Sequence, residues 1–152
     1  MEILLSAKNI SKSFQDKKVL DNINIEIKKS EVVAISGASG AGKTTLLNIL
    51  STLDQPDLSN NSSLIIDSKD VFNLNNNDLS LLRNQKIGFV FQFHELIPEL
   101  SILENVCLPG WIKNDKDVEE KAKELLNYFG LIDLINKKPS TLSGGEKQRV
   151  AI

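Results

Sequence analysis

Gly37-Ala38-Ser39-Gly40-Ala41-Gly42-Lys43-Thr44 matches the pattern G-x-x-x-x-G-K-[ST] at every specified position. Its flanks decide how it is read. The preceding run, Glu31-Val32-Val33-Ala34-Ile35-Ser36, is short, apolar and β-branched, the pattern of a strand buried on both faces of a parallel sheet. After the loop, Leu46, Leu47, Ile49, Leu50 and Leu53 recur at helical spacing over residues 43–53. Strand, glycine loop and helix thus follow in the order a phosphate-binding loop needs. Glycines let the chain reverse and present successive backbone N–H groups, and the helix N-terminus adds partial positive charge. In this arrangement Lys43 reaches β- and γ-phosphates and the Thr44 hydroxyl is offered to a magnesium ion. The competing reading is a glycine-rich turn that binds nothing, and the agreement of the pattern with its context weighs against it.

Composition narrows the class. The 152 residues suit one domain with a real core, or a fragment of a larger one. Lys and Arg number 18 against 20 Asp and Glu, so a net charge of -2 offers no electrostatic footprint for nucleic acid. No apolar run approaches the roughly 20 residues of a membrane span, and the start Met1-Glu2-Ile3-Leu4-Leu5-Ser6 has neither a basic segment nor a cleavage site, so the expectation is a cytosolic chain. Cys107, the single cysteine, reads as a small core hydrophobe, and no metal site built wholly from side chains is expected.

Before the loop, Ile3-Leu4-Leu5-Ser6-Ala7 reads as one short strand and Val19 to Ile27 as another. In the second, Ile23, Ile25 and Ile27 fall on one face and Asn24 and Glu26 on the other, the mark of a half-buried strand. Ser11 to Lys18 between them reads as a polar loop carrying one aromatic residue, Phe14, either a core anchor or a platform for a nucleotide base. Asp54 to Asp57 breaks the helix, Ser59-Asn60-Asn61-Ser62-Ser63 is turn-rich, and Leu64-Ile65-Ile66 is a further strand. Asn73 to Asp78 reads as a loop ahead of a short helix over Leu79 to Arg83. Ile87-Gly88-Phe89-Val90-Phe91 is a second buried-strand candidate, ending at Gln92. Over 93–140 the clear element is a helix from Asp117, with Glu120 three residues on as in a capping box and Val118, Ala122, Leu125, Leu126 and Phe129 at helical spacing before Gly130. His94, the only histidine, has no partners at ligand spacing and reads as a surface or packing residue. Leu142-Ser143-Gly144-Gly145-Glu146 ahead of Lys147 to Ile152 is either a glycine loop opening a helix that can receive an anion, or an ordinary linker.

The order GASGAGKT, Gln92, LSGGE resembles the nucleotide-binding domain of ATP-binding-cassette (ABC) transporters along the whole chain. A narrower likeness runs from Arg83 to Leu100 and through Leu103-Glu104-Asn105-Val106, which resembles the ATPase subunit of Lol-type lipoprotein-releasing systems, relatives of macrolide-export and cell-division ATPases. The resemblance implies an α/β fold of the P-loop NTPase type: an antiparallel β subdomain with the glycine-loop core over 1–92, a helical subdomain over 93–140, and the signature with its helix over 141–152. It implies ATP and Mg2+ as cofactors. Nucleotide contacts would come from Phe14, stacking on adenine, and from Gly37, Ala38, Ser39, Gly40, Ala41, Gly42, Lys43, Thr44 and Thr45; Ser143, Gly144 and Gly145 would meet the ATP of a second cassette. Thr44 and Gln92 would face the metal, with Gln92 reporting nucleotide state to the membrane subunits. Partners would be that second cassette and integral membrane permease subunits, which dock near Phe93, His94, Leu96 and Ile97 at the cytoplasmic face of the bacterial inner membrane.

The family pattern continues past the signature helix to an Asp-Glu strand, a D-loop and a switch histidine, none of which follows Gly145 here. The expectation is therefore a cassette missing the C-terminal strands of its core sheet. Such a chain would be marginally stable, would keep part of the Mg-ATP pocket and would not turn over ATP alone. An alternative is a non-catalytic module that binds nucleotide or a membrane subunit without hydrolysis. A guanine-reading N-K-x-D is absent, since Asn136-Lys137-Lys138-Pro139 lacks the Asp, and neither a basic stripe nor a cysteine cluster suggests a DNA-repair ATPase.

Overall fold

An antiparallel hairpin longer than the sequence suggests organises the first part of the chain. The computed structural model describes residues 2–57 and 61–152, so Ser59 and Asn60 of the expected turn-rich segment lie outside the described residues. The chain divides into two compact units, Met1–Ile87 and Gly88–Ile152. In the first, β1 (Ile3–Phe14) and β2 (Lys17–Lys28) pair from Ile3 opposite Lys28 to Phe14 opposite Lys17. The polar loop expected over Ser11–Lys18 shrinks to a two-residue turn in which Gln15 takes φ 52°. Cross-strand pairing sets strand length here, and polar residues join the ladder because one face of the sheet meets solvent. The isoleucine alternation holds: Ile23, Ile25 and Ile27 are half-buried while Asn24 and Glu26 are exposed.

β3 (Ser63–Ile66) pairs antiparallel with β1, and β4 (Lys69–Asp70) with β3, giving a four-stranded sheet of order β2-β1-β3-β4. Against it packs α1 (Lys43–Leu50), shorter than the spacing predicts. Leu46, Ile49 and Leu50 enter one core cluster with Ala7, Ile10, Leu20, Leu64, Ile66, Val71 and Leu82. Leu47 and Leu53, expected on the same stripe, are each 47 % exposed. Burial of each of the three inner side chains contributes about 2 kcal/mol. α2 (Asn76–Lys86) begins earlier than expected because the Asn75 side chain accepts from the Asp78 backbone N–H at 2.9 Å, so Asn76–Asp78 form its first turn instead of a loop.

Two strand expectations fail. Residues 31–36 and 87–91 carry no regular structure, and Val32 is 96 % exposed. An apolar run becomes a strand only when a neighbour supplies its ladder, and among the described residues none pairs with either run. Phe89 and Phe91 instead stack on each other, ring centroids 4.4 Å apart.

The second unit is helical: α3 (Ile102–Ile112), α4 (Val118–Tyr128) and α5 (Gly144–Ala151) enclose a cluster of Ile102, Leu126, Leu131, Leu142 and Val150. α3 lies where the sequence pattern shows no clear helix, and it holds Pro109 and Gly110, both poor helix formers. It forms because Ser101 and Glu104 make a full capping box: the Ser101 hydroxyl accepts from the Glu104 N–H at 3.2 Å, and the Glu104 carboxylate accepts from the Ser101 N–H at 2.6 Å. Gly110 sits where a Cβ would come 2.1 Å from Val118 Cγ2, so its bareness lets α3 and α4 approach. The capping box expected at Asp117 does not form. Asp115 instead accepts from the Asp117 N–H and from Lys121 Nζ at 2.8 Å, and α4 has no side-chain cap. Gly130 ends α4 as expected, at φ 68°, with the Leu131 N–H bonded to Leu126 O at 2.7 Å. Cys107 is fully buried, and that burial raises its thiol pKa. Among the described residues no helix is long and apolar enough to cross a membrane.

The hydrogen bonds from Ser101 hold the Glu104 carboxyl below its ordinary value, and Lys86 does the same for Asp67. A depressed folded-state pKa contributes stability that is complete above the unfolded value and is lost as pH falls through the folded one. Thermal melts are therefore expected to hold their midpoint down to about pH 4 and to fall below it. Ser101→Ala should cost the helical unit about 1 kcal/mol, read by urea unfolding of the single tryptophan, Trp111, in α3.

Candidate functional site

The glycine loop gathers its chemistry at the start of α1. Gly40 and Gly42 take φ 77° and 85°, left-handed values that a side chain would oppose. Gly42 is constrained twice, since a Cβ there would lie 2.9 Å from Val19 Cγ1 and 3.1 Å from the Val19 carbonyl oxygen. The loop thus rests on β2 by glycine contact. Gly42 is also the N-cap of α1 and provides no capping side chain, and no acidic residue stands in the first turn. The N–H groups of Lys43, Thr44 and Thr45 have no acceptor within the helix by geometry, and the first bond back is from Leu46 to Gly42 O at 2.8 Å. The helix therefore opens on free donors and positive potential.

Lys43 adds a full charge. Its ammonium donates to Gly37 O at 2.9 Å and Ala38 O at 2.7 Å, which holds it across the loop. Those carbonyls satisfy two of its donors without cancelling its charge, and among the described residues it has no ion-pair partner. Ala41 N–H closes the turn onto Ala38 O at 3.2 Å. A shallow cavity is lined by Phe14, Val19, Ser39, Gly40, Gly42, Lys43, Thr44 and Thr45. Phe14 is half-exposed at the end of β1, on the rim of the loop's cavity. It is the one sequence-singled aromatic brought to the glycine loop.

The remaining candidates lie in the second unit. Gln92 is exposed in a bend. Ser143, Gly144 and Gly145 do not form a loop ahead of a helix: Ser143 is the N-cap of α5, and the two glycines are its first residues. Ser143 and Glu146 form a capping box, with the Ser143 N–H donating to Glu146 Oε2 at 2.7 Å and the Glu146 N–H to Ser143 Oγ at 3.3 Å. Bonds from Ser143 hold the Glu146 carboxyl below its usual value. This cap is legible in the sequence as S-x-x-E.

The donor set fits a polyphosphate: successive N–H groups, an ammonium and a hydroxyl on one cavity. It also fits magnesium, which keeps most of its waters and asks few protein ligands, so that Thr44 can act without a carboxylate cage. Among the described residues no group of three or more His, Cys, Asp or Glu could hold a metal alone.

Comparison with known proteins bears on this geometry. The ABC transporter family model matches residues 20–152. The chain is 48 % identical over 151 residues to the lipoprotein-releasing system ATP-binding protein LolD of Bacteroides thetaiotaomicron, covering 98 % of this chain and 68 % of that protein. It is 47 % identical over 152 residues to LolD of Porphyromonas gingivalis, covering 99 % and 68 %. Its structure is similar, with a TM-score of 0.84 and 39 % identity, to the ATP-binding cassette MJ0796 in a dimeric post-hydrolysis state bound to ADP and Pi, covering 97 % of this chain and 66 % of that one. The chain thus spans about two thirds of the length of these relatives.

Gly42→Ala forces a side chain into a left-handed backbone and against Val19. It is expected to lower stability by about 2 kcal/mol, seen as a lower calorimetric melting temperature, whereas Gly144→Ala, with open space at its Cβ, leaves that midpoint within a degree or two.

Proposed function

We propose that this chain, which belongs to the ABC transporter family, binds ATP in its glycine loop as the nucleotide-binding subunit of a lipoprotein-releasing transporter. The observation that carries the proposal is the convergence at one cavity of the uncapped N-terminus of α1, the Lys43 ammonium, the Thr44 hydroxyl and the Phe14 ring. The N–H groups and Lys43 bind the triphosphate and neutralise its charge, Thr44 orients its magnesium, and Phe14 stacks on the base. When bound, Mg2+ would offset phosphate charge, and the Thr44 hydroxyl at the cavity would help to hold it. Gln92, exposed in its bend, would report nucleotide state to the membrane subunits. Ser143, Gly144 and Gly145 face the ATP of a second copy, with the Ser143–Glu146 cap fixing the entry of α5. The exposed Phe93, beside His94 and Leu96, meets permease subunits at the cytoplasmic face of the inner membrane.

Support for the lipoprotein reading is the identity of 47 to 48 % with proteins named for that system. A second reading, nucleotide holding without hydrolysis, is favoured by one observation: among the described residues, those lining the loop's cavity include no carboxylate or imidazole to orient a water.

Calorimetric titration of the chain with ATP in magnesium is expected to give saturable binding that falls at least about tenfold in Lys43→Ala, the loss of one charge-assisted contact. Equal affinity in the two would refute the site. In parallel, phosphate release from the same samples distinguishes holding from turnover. The holding reading predicts release no faster than in Lys43→Ala.

A further inference from the structure

Phe14 is half-exposed at the turn end of the β1–β2 hairpin, next to Gln15-Asp16. The residue two positions before it on the strand, Lys12, shares its face of β1. Lys12 Nζ lies over the Phe14 ring, 5.4 Å from the centroid, within the range of a cation–π contact. The same ammonium donates to Asp54 Oδ1 at 2.8 Å and to the Gln55 carbonyl oxygen. The Lys12 side chain is 14 % exposed and that of Asp54 34 %, so the ammonium is shielded while the carboxylate still meets water.

Asp54 belongs to the turn that follows α1, where its own N–H bonds back to Asn48 O at 3.2 Å. Its carboxylate also accepts from the Gln55 N–H, which fixes the acceptor that Lys12 meets. One ammonium thus links the hairpin carrying Phe14 to the far end of the helix whose near end carries Lys43 and Thr44. The strand register shifts on both sides of Lys12, between Ile10 and Lys12 and between Lys12 and Ser13. The extra residue of each shift lies on β2, so β1 runs regularly through Lys12 and keeps it on the face of Phe14.

We infer that Lys12 is a positioning residue for nucleotide binding, holding Phe14 as a base platform at a fixed distance from the phosphate loop through its contacts to Asp54 and to one face of the ring. The inference rests on the reading of Phe14 as that platform. A cation over one ring face leaves the other for a planar base, so stacking is confined to one side. Without Lys12 the ring samples several rotamers, and ordering it again weakens base binding. Phosphate binding, which uses the loop and α1, is untouched.

The test separates base from phosphate. Affinities of the full chain for ATP and for inorganic tripolyphosphate, both with magnesium, are measured by calorimetry in the unaltered protein and in Lys12→Met, Lys12→Arg, Asp54→Asn and Phe14→Ala. Lys12→Met keeps the aliphatic stem, and Lys12→Arg keeps both the ion pair and the cation on the ring. The expected result is a loss of about fivefold in ATP affinity in Lys12→Met and Asp54→Asn, with tripolyphosphate affinity unchanged and Lys12→Arg close to the unaltered chain. Should Lys12→Met melt early, Asp54→Asn carries the same comparison with the lysine in place. The inference is overturned if Phe14→Ala loses ATP selectively while Lys12→Met and Asp54→Asn do not, or if these two lose both ligands alike. If Phe14→Ala binds ATP as the unaltered chain does, the platform reading itself fails, and the inference with it.

Discussion

The contact between Gly42 and the Val19–Leu20 stretch of β2 is the constraint on which the first unit depends. Val19 Cγ1, Leu20 Cδ2 and the Val19 carbonyl oxygen would all lie within 3.1 Å of a Cβ at this position. Only a residue without a side chain allows α1 to begin there. Its first turn is then anchored to the sheet while Leu46, Ile49 and Leu50 enter the cluster below. The glycine loop is held by packing on both sides: its helix is pinned by apolar burial, and its last glycine by close approach. A loop of small residues gains the rigidity an anion site needs from its neighbours, since it has little of its own.

The helix N-termini divide by how their first-turn donors are satisfied. α3 and α5 each begin with a serine and a glutamate that bond reciprocally, and in both the carboxylate sits at the positive end of the helix. α1 begins with a glycine and an ammonium, and nothing in its first turn carries negative charge. α2 is capped by Asn75, and α4, without a side-chain cap, carries Glu119 and Glu120 in its first turn, so among these helices α1 alone has neither a side-chain cap nor a first-turn acid. That asymmetry distinguishes a binding helix from structural ones in the same chain. It also revises the view of the signature segment: a glutamate already occupies part of the α5 terminus, so Gly144 and Gly145 serve first as helical residues with open space above them.

Apolar runs proved the least reliable guide to local structure. Ile23-Asn24-Ile25-Glu26-Ile27 becomes a strand because β1 lies beside it, while Glu31-Val32-Val33-Ala34-Ile35-Ser36, richer in β-branched residues, does not, because nothing among the described residues lies beside it. β-propensity is a statement about fitting a pleated surface, and the surface must exist. Helices depend less on distant neighbours, and α3 forms across Pro109 and Gly110. A capping box at one end, and a close approach to Val118 at the other, outweighed two poor helix formers.

By itself the sequence determined the phosphate-binding chemistry, because that depends on residue types at fixed spacing: glycines that can turn, a lysine and a threonine at the start of a helix. It determined family resemblance for the same reason, through GASGAGKT, Gln92 and LSGGE in order. Only the tertiary structure decided that Phe14 lines the loop's cavity and that Lys12 bridges its ring to Asp54. These outcomes turn on distances between residues up to 42 positions apart. Strand pairing and core packing set such distances, and no local pattern encodes them.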